Sequence, residues 1–304
     1  MEVIDLLDYN EIRFSTAIAL GNFDGIHIGH QQLIKKMVSR SKELRIKSSL
    51  LLFKSHTKTI VDNNRPGMIT NNQQKFRIAE ELGVDIIYLL DFNDNIMKLS
   101  GEEFVRDIIV NKMNGKLLVV GFDYRFGYKA SGDSNYLKEL GKENNIEVVI
   151  LDPVYQEDKI ISSSIIRELI AAGNMSEVSK MLGRSYSIIG KVIPGKNRGN
   201  KLGFPTANIE LTDNYVIPKN GVYMTNTIVD NKRYLSATNI GYNPTFDENT
   251  LKIETYILEF EGNIYEKTLE VEFLDFLRDD IKFESKEALI EQMKLDVETI
   301  KLRH

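Results

Sequence analysis

The stretch GNFDGIHIGH, residues 21–30, holds two of the four histidines of this 304-residue chain together with three glycines. The apolar run at 17–20 stands before it and is long enough for a buried strand. In the segment after it, Leu33, Met37 and Leu44 recur at helical spacing. The sequence therefore predicts a strand, a glycine-rich turn and a helix.

Such a turn suits the binding of phosphate. Free backbone N–H groups and the helix dipole favour an anion at the start of a helix, and ligands of open parallel sheets bind beyond the carboxyl ends of strands. His27 and His30 would donate hydrogen bonds to phosphate oxygens, and Gly29 would allow close approach to the backbone. This chemistry fits attack on a nucleotide α-phosphate with loss of pyrophosphate. A partial metal site, or surface histidines at a helix start, are the alternatives.

The first part of the chain alternates between apolar runs and helical patterns. Further strand-like runs lie at 49–53, 86–90, 117–120 and 148–151. Between them, Ser100 and Glu103 fit a capping box at the start of a helix that runs to Met113. This alternation predicts an α/β, Rossmann-like domain, with a parallel sheet covered by helices on both faces.

The pattern changes near residue 184. Strand-like segments follow from Tyr186, with turn signals at Asp230–Asn231 and at 261–263, and a final helical stripe closes the chain. The stripe consists of Leu289, Met293, Val297 and Ile300. A chain of this length favours two domains. We predict one over residues 1–183 and another over 184–304, the latter a small antiparallel β-barrel with a terminal helix.

Composition narrows the class of protein. The net charge is −5, the pI is about 5.6 and no basic tail is present, which argues against nucleic acid as a partner. Without cysteine the chain has neither disulfides nor thiolate zinc sites. The acidic start is unlike a signal peptide, and no apolar run reaches the roughly 20 residues of a membrane helix. We expect a cytoplasmic protein with no membrane partner.

Three motifs of the first domain carry a family resemblance. Residues 21–30 resemble the GxFDGxHxGH signature of the HxGH nucleotidyltransferase superfamily. The string HIGH also occurs in class I aminoacyl-tRNA synthetases, but their KMSKS-like loop is not found here. VGFDYRFG at 120–127 and ISSSIIR at 161–167 resemble motifs of the adenylyltransferase domain of bacterial bifunctional riboflavin kinase/FAD synthetases. Taken alone, each of these two motifs more often serves helix capping or packing.

The second domain resembles the riboflavin kinase of the same family. GKNRGNKLGFPTAN at 195–208 resembles its GxxxGRxLGFPTANI signature, and GVY at 221–223 and NIGYNPTF at 239–246 follow in order. A P-loop reading of 190–197 is rejected, because Asn197 replaces the Ser or Thr and no helix pattern follows. The alternative for 195–208 is a turn-rich barrel loop with solvated lysines.

The resemblance implies site residues in both domains. Glu254 would be the kinase base, although a lone Glu on a strand more often lies on a solvated face, and Thr206 and Asn208 offer hard oxygen ligands for Mg²⁺. Phe283 and Arg278 would belong to a flavin-covering segment, LRxExxF, in which Asp280 replaces the Glu. The catalytic residues would be Glu254, His27 and His30; the ATP-binding residues Gly21, Asn22, Phe23, Asp24, Gly29, Asp123, Arg125, Ser163, Ser164, Arg167, Gly195, Lys201, Gly203, Thr206 and Asn208; and the flavin-binding residues His56, Asn239, Arg278 and Phe283.

The resemblance implies an enzyme that phosphorylates riboflavin to FMN and then joins FMN to AMP, making FAD, with ATP and Mg²⁺ in both steps. One departure weakens the second step. The family's Phe-(Glu/Asp)-Pro-His-Pro string reads FKSHT at 53–57, with Lys54 replacing the acid and both prolines lost. The alternatives are therefore a paralogue active only as riboflavin kinase, or a flavin-binding regulator. Adenylyl transfer to another acceptor, such as a phosphopantetheine, is a more distant one.

Overall fold

The computed structural model describes residues 1–6, 14–54, 67–195, 203–244 and 249–303. They form two compact units, one comprising Met1–Pro66 with Thr70–Ser163 and the other Gly67–Ile69 with Ser164–His304. The predicted boundary at 183/184 marks the change from helices to barrel strands, and it stays a prediction for the domains.

The first unit is built on a parallel sheet. Its strands, in chain order, are β1 (Glu2–Asp5), β2 (Thr16–Leu20), β3 (Lys47–Phe53), β4 (Ile86–Leu90), β5 (Gly115–Gly121), β6 (Arg125–Phe126), β7 (Gly132–Asp133), β8 (Glu147–Leu151), β9 (Tyr155–Gln156) and β10 (Lys159–Ile160). Six of them pair in the order β1-β4-β3-β2-β5-β8, all parallel. The strand order reverses between β2 and β5, which is where ligands bind in sheets of this kind.

Helices cover both faces of this sheet. In the described part of this unit they are α1 (Ile28–Leu44), α2 (Asn72–Glu81), α3 (Asp94–Met97), α4 (Gly101–Glu103) and α5 (Ser134–Glu143). Ile18 and Leu20 of β2 join the core on one face, and Ala17 and Ala19 join the core on the other. Because β2 is buried on both faces, it reads as a continuous apolar run instead of an alternating one.

Two elements differ from the sequence expectation. The capping box of Ser100 and Glu103 is present, but after α4 the chain continues as a π-helix over Phe104–Val110, which the pattern did not distinguish from an α-helix. Strand β1 was not predicted. It is an edge strand with one buried residue, Ile4, so its hydrophobic pattern is weak.

The second unit contains a closed barrel, as predicted. Its strands are β11 (Tyr186–Ile193), β12 (Thr206–Leu211), β13 (Gly221–Val229), β14 (Lys232–Pro244), β15 (Asn249–Ile257) and β16 (Thr268–Arg278). They close in the order β11-β12-β15-β14-β13-β16, and every neighbouring pair is antiparallel. The predicted turn at Asp230 and Asn231 has positive φ at both residues, as a tight hairpin requires.

Among the described residues of the barrel unit the helices are α6 (Ser163–Ala171), which starts one residue before the unit, α7 (Met175–Leu182) and α8 (Lys286–Arg303). The first two group with the barrel because α7 packs on β11 and β16. In α8, Ile300 of the predicted stripe is buried and the rest of the stripe is half-buried. The other buried residue of α8 is Asp296, a charge that the stripe did not predict.

Candidate active sites

The turn after β2 is held by its own apolar side chains. Phe23 and Ile26 both have positive φ, 47° and 37°, which non-glycine residues rarely adopt. Both side chains are fully buried in the core on one face of the sheet. Such strained backbone persists only where the surroundings fix it, and it clusters at functional sites.

Polar contacts fix the same turn from a second side. The buried Asp24 carboxylate accepts a hydrogen bond from the Thr70 N–H at 3.1 Å, and the Gly25 N–H donates to Thr70 Oγ1 at 2.9 Å. The Ser163 hydroxyl donates to the Asp24 carbonyl at 2.8 Å. In this structure Phe23, Asp24 and Ser163 build the turn, and their direct contact with ATP stays a prediction.

The two histidines lie together at the start of α1. His27 is the N-cap and its Nδ1 accepts from the His30 N–H at 3.3 Å, while the two rings stack with centroids 3.8 Å apart. A Cβ on Gly29 would lie 3.2 Å from the His27 ring, so a glycine fits beneath that ring. Nδ1 of His30 is buried and has no hydrogen-bond partner among the described residues. It is therefore an atom suited to a ligand.

Burial lowers the pKa of His30 well below its usual value, and the charges of His27 and Lys75 lower it further. The imidazole is therefore neutral at pH 7 and would donate one hydrogen bond to a phosphate without carrying charge. Among the described residues no group of three His, Cys, Asp or Glu side chains is placed to hold a metal. The histidine pair thus has no third ligand of those types among the described residues.

This depressed pKa predicts how stability depends on pH. The unfolded chain binds a proton at His30 below about pH 6.5, whereas the folded chain does not, so the free energy of unfolding should fall as pH falls from 7 to 5. One such group contributes a slope of at most about 1.4 kcal/mol per pH unit. Urea unfolding of wild type and His30→Gln, followed by circular dichroism, should give a shallower slope for the variant. Identical slopes would contradict a neutral His30 imidazole in the folded chain.

The second motif of this unit starts beside the first. Leu20 pairs with Val120, so Gly21 and Gly121 leave adjacent strands at the same edge of the sheet. Asn22, Asp123 and Arg125 are exposed there. Burial raises the pKa of the Tyr124 phenol, whose ring stacks on Phe126. The exposed polar side chains therefore stand at the crevice between β2 and β5, where a nucleotide is expected.

The other residues that the sequence singled out do not all lie in the first unit. Ser164 and Arg167 lie in the second unit, where Ser164 is exposed and Arg167 Nε donates to the Gly67 carbonyl at 3.0 Å. Lys54 forms an ion pair with Asp5 of β1, so its charge has a partner within the sheet. His56 and Lys201 lie outside the described residues.

In the barrel, three predicted residues stand on one cross-strand row. Asn208 of β12 pairs with Glu254 of β15, which pairs with Asn239 of β14. Directly opposed residues of antiparallel strands share a face and lie side by side. All three are half-buried, whereas their chain neighbours, such as Thr255, are buried in the barrel, so the row lies on the outer face. We call Asn208, Glu254 and Asn239 the polar row.

Thr206 and Gly195 adjoin the polar row. Thr206 precedes Asn208 by two residues and therefore lies on the same face of β12. A Cβ on Gly195 would lie 2.1 Å from Asn208 Nδ2, so only glycine allows the backbone so close to this amide. Gly203 has φ of +83°, and the Phe204 ring next to it packs edge-on against Tyr256.

The fit at Gly195 predicts a functional effect. In Gly195→Ala the added methyl must displace the Asn208 amide, and misplacement of a positioning group by about 1 Å costs up to about 100-fold in rate. We expect kcat/KM for ATP to fall by about 10- to 100-fold in the phosphoryl transfer that the family resemblance implies. Pro194→Ala, at the exposed neighbouring position, is the matched control. Equal kinetics of the two variants would show that Asn208 does not act in this reaction.

The row continues to the predicted flavin residues. Asn239 pairs with Val222, and Val222 pairs with Arg278 at the end of β16. Asn239 Oδ1 is buried without a hydrogen-bond partner among the described residues. The Arg278 guanidinium lies 6.0 Å from the Phe283 ring centroid. Successive strand partners thus lead from the polar row through Val222 to Arg278, with a β-bulge between Val222 and Tyr223.

Sequence reasoning missed Asp296 and Gln292. Asp296 accepts from Arg278 Nη2 at 2.7 Å, and Gln292 donates to Asp296 at 2.9 Å. The available signal was an acidic residue within the apolar stripe of α8, three positions after Met293 and four before Ile300. Such a residue lies on the buried face of a helix and needs a partner there.

Comparison with known proteins gives consistent matches over both units. Residues 10–165 match a family model described as FAD synthetase, and residues 182–303 match one described as riboflavin kinase. A bifunctional riboflavin kinase/FMN adenylyltransferase of Buchnera aphidicola subsp. Schizaphis graminum is 35% identical over 96% of this chain and 95% of its own. One of the same name from Listeria monocytogenes is 36% identical over 92% and 89%.

A solved structure matches almost the whole chain. It is the crystal structure of a protein named as a macrolide-efflux protein from Streptococcus pneumoniae, and it is 33% identical, with a TM-score of 0.90 over 99% of each chain. Within the described part of the present chain, no helix is long and apolar enough to cross a membrane.

Proposed function

We propose that this chain, which belongs to the family of bifunctional riboflavin kinase/FMN adenylyltransferases, makes FMN from riboflavin and ATP and then FAD from FMN and a second ATP. The observation that carries the proposal is the presence of both arrangements in one chain. One is the histidine turn at the reversal of a parallel sheet, and the other is the polar row on a closed barrel.

In the kinase reaction, Glu254 takes the proton of the ribityl 5′-hydroxyl. The hydroxyl oxygen forms a bond to the γ-phosphorus as the bond from that phosphorus to the β,γ-bridging oxygen breaks, and ADP leaves. Asn208 and Asn239 lie on either side of Glu254 and orient the reactants through amide hydrogen bonds. The reaction requires positioning more than covalent participation of the protein.

Thr206 and Asn208 would hold Mg²⁺. A hydroxyl and an amide oxygen are hard donors, both lie on one face of β12, and Glu254 stands opposite Asn208. When bound, Mg²⁺ supplies positive charge to the phosphates of ATP. The close approach of Gly195 to Asn208 fixes the amide beside the position that a phosphate would occupy.

In the adenylyl transfer, a phosphate oxygen of FMN attacks the α-phosphorus of ATP and pyrophosphate leaves. The start of α1 and the N–H groups of His27 and His30 hold the triphosphate, with charge stabilised by fixed donors. In the family, the segment in which Lys54 replaces an acidic residue lies near this site. In this chain the Lys54 charge is paired with the Asp5 carboxylate. That contact supports retention of the second activity over the kinase-only and regulator alternatives.

The test is a product profile. Purified protein incubated with riboflavin, ATP and Mg²⁺ should form FMN first and FAD afterwards, as resolved by chromatography. FMN without FAD would favour the kinase-only paralogue, and tight binding of flavin without turnover would favour the regulator. We also propose a cytoplasmic location, because both steps consume ATP.

A further inference from the structure

Arg278 is held by a carboxylate that no family motif quoted above contains. Its Nε donates to Asp296 Oδ1 at 2.9 Å and its Nη2 donates to Oδ2 at 2.7 Å, so the ion pair is bidentate. Only 19% of the Arg278 side chain and 10% of the Asp296 side chain are exposed. Nη1 donates to the Asp279 carbonyl at 3.0 Å. Every nitrogen of the guanidinium therefore bonds to the protein.

Asp296 is itself held in place. It lies on α8, and Gln292, one turn earlier on the same helix, donates to its Oδ1 at 2.9 Å. The Arg278–Asp296 pair joins the end of β16 to the middle of α8. It therefore holds together the two ends of the intervening segment, residues 279–285. That segment carries Phe283, whose ring lies against the guanidinium, and Asp280, whose carboxylate lies near Gly241 of β14. The pair thus sets where the segment stands on the barrel.

The register relates this segment to the polar row. Arg278, Val222, Asn239 and Glu254 are successive partners across β16, β13, β14 and β15. Arg278 is therefore three strands from Glu254, about 14 Å along the sheet at the usual strand spacing. A flavin whose ribityl hydroxyl meets Glu254 would extend its ring system along this row, toward the Phe283 segment.

We infer that Asp296 is a positioning residue for riboflavin phosphorylation. It does not touch substrate; it fixes Arg278 and, through Arg278, the segment that receives the flavin ring. The inference rests on the proposed kinase function. A buried charge pair is often no more stabilising than apolar packing, and the best-supported reason to keep one is that it specifies a single arrangement. Here that arrangement is the position of the Phe283 segment.

The test compares steady-state kinetics of riboflavin phosphorylation in Asp296→Asn, Arg278→Lys and the double variant. Asp296→Asn should raise KM for riboflavin about tenfold, equivalent to about 1.4 kcal/mol, and leave KM for ATP within about twofold. Asp296→Glu should restore most of the riboflavin KM, because it keeps the charge. The double variant should be no worse than Arg278→Lys, since both changes break one contact. The matched control is Glu259→Gln, which breaks the exposed Lys301–Glu259 pair that also ties α8 to the barrel.

The inference is overturned if KM for ATP rises as much as KM for riboflavin, if the single effects add in the double variant, or if Glu259→Gln has the same effect. Should Asp296→Asn fail to fold by circular dichroism, Arg278→Lys and Asp296→Glu decide. A rise in KM for riboflavin alone in Arg278→Lys, without such a rise in Asp296→Glu, supports the inference, and any other result overturns it. Absence of FMN formation by wild type would instead refute the proposed function.

Discussion

Glu254→Gln is expected to reduce the rate of FMN formation from riboflavin and ATP by about 100- to 10,000-fold, the usual contribution of a general base to the rate. Gln keeps the size and shape of the side chain but has no basic oxygen to take the 5′-hydroxyl proton. Glu254 pairs with Asn208 on one side and Asn239 on the other, so the variant should keep the polar row intact. The loss should appear in kcat, while KM for either substrate changes little.

The measurement is the initial rate of FMN formation at saturating riboflavin and ATP, with FAD formation from added FMN as the internal reference. Adenylyl transfer should be unchanged, because Glu254 lies in the barrel unit and the histidine turn lies in the other. The matched control is Glu210→Gln, an exposed carboxylate on the same face of β12, two residues after Asn208. Equal rates in wild type and Glu254→Gln would remove Glu254 as the base.

The sequence predicted the parts of the fold that depend on local patterns. All five predicted strands of the parallel sheet exist. Four of them, β2 to β5, are mostly buried and therefore appear as apolar runs bounded by turn residues, whereas β8 is a half-exposed edge strand that is still apolar in sequence. The Asp230–Asn231 turn was visible because few residues tolerate positive φ at two successive positions. Strand β1 was missed, since its place in the sheet depends on pairing with β4, a contact with no local signature.

In the candidate sites, too, local motifs predicted some features, and others depended on long-range contacts. Motifs located the histidine turn and the polar row, but pattern alone did not show that Asn208, Glu254 and Asn239 face each other, because strand order and register are long-range properties. It also did not separate residues that hold a turn from residues that face a ligand. Asp24 and Ser163 belong to the motif and bond to the turn itself, whereas His30 keeps a buried nitrogen without a partner among the described residues. Asp296 is visible as an acidic residue in the apolar stripe of α8, but the pattern did not identify its partner, Arg278, because that residue lies on another element.

His30→Ala is expected to reduce FAD formation from FMN and ATP by about 100- to 1,000-fold, the usual cost of losing one fixed donor to a developing charge. The effect should be large because the half-buried imidazole is neutral, its Nδ1 is buried, and the ring is fixed before the substrate arrives. It stacks on His27 and meets the edge of Phe23, so little reorganisation accompanies the reaction. FMN formation from riboflavin should stay at the wild-type rate.

This double readout separates a chemical role from a structural one. Loss of a stacked ring also removes packing against His27 and Phe23, so a folding defect would lower both activities, or the far-ultraviolet dichroism, together. Lys35→Ala, an exposed substitution in the next turns of α1, controls for changes to the helix itself and should keep both activities. If His30→Ala made FAD at the wild-type rate, the unpartnered Nδ1 would not face the triphosphate, and the nucleotide would have to bind elsewhere at the crevice between β2 and β5.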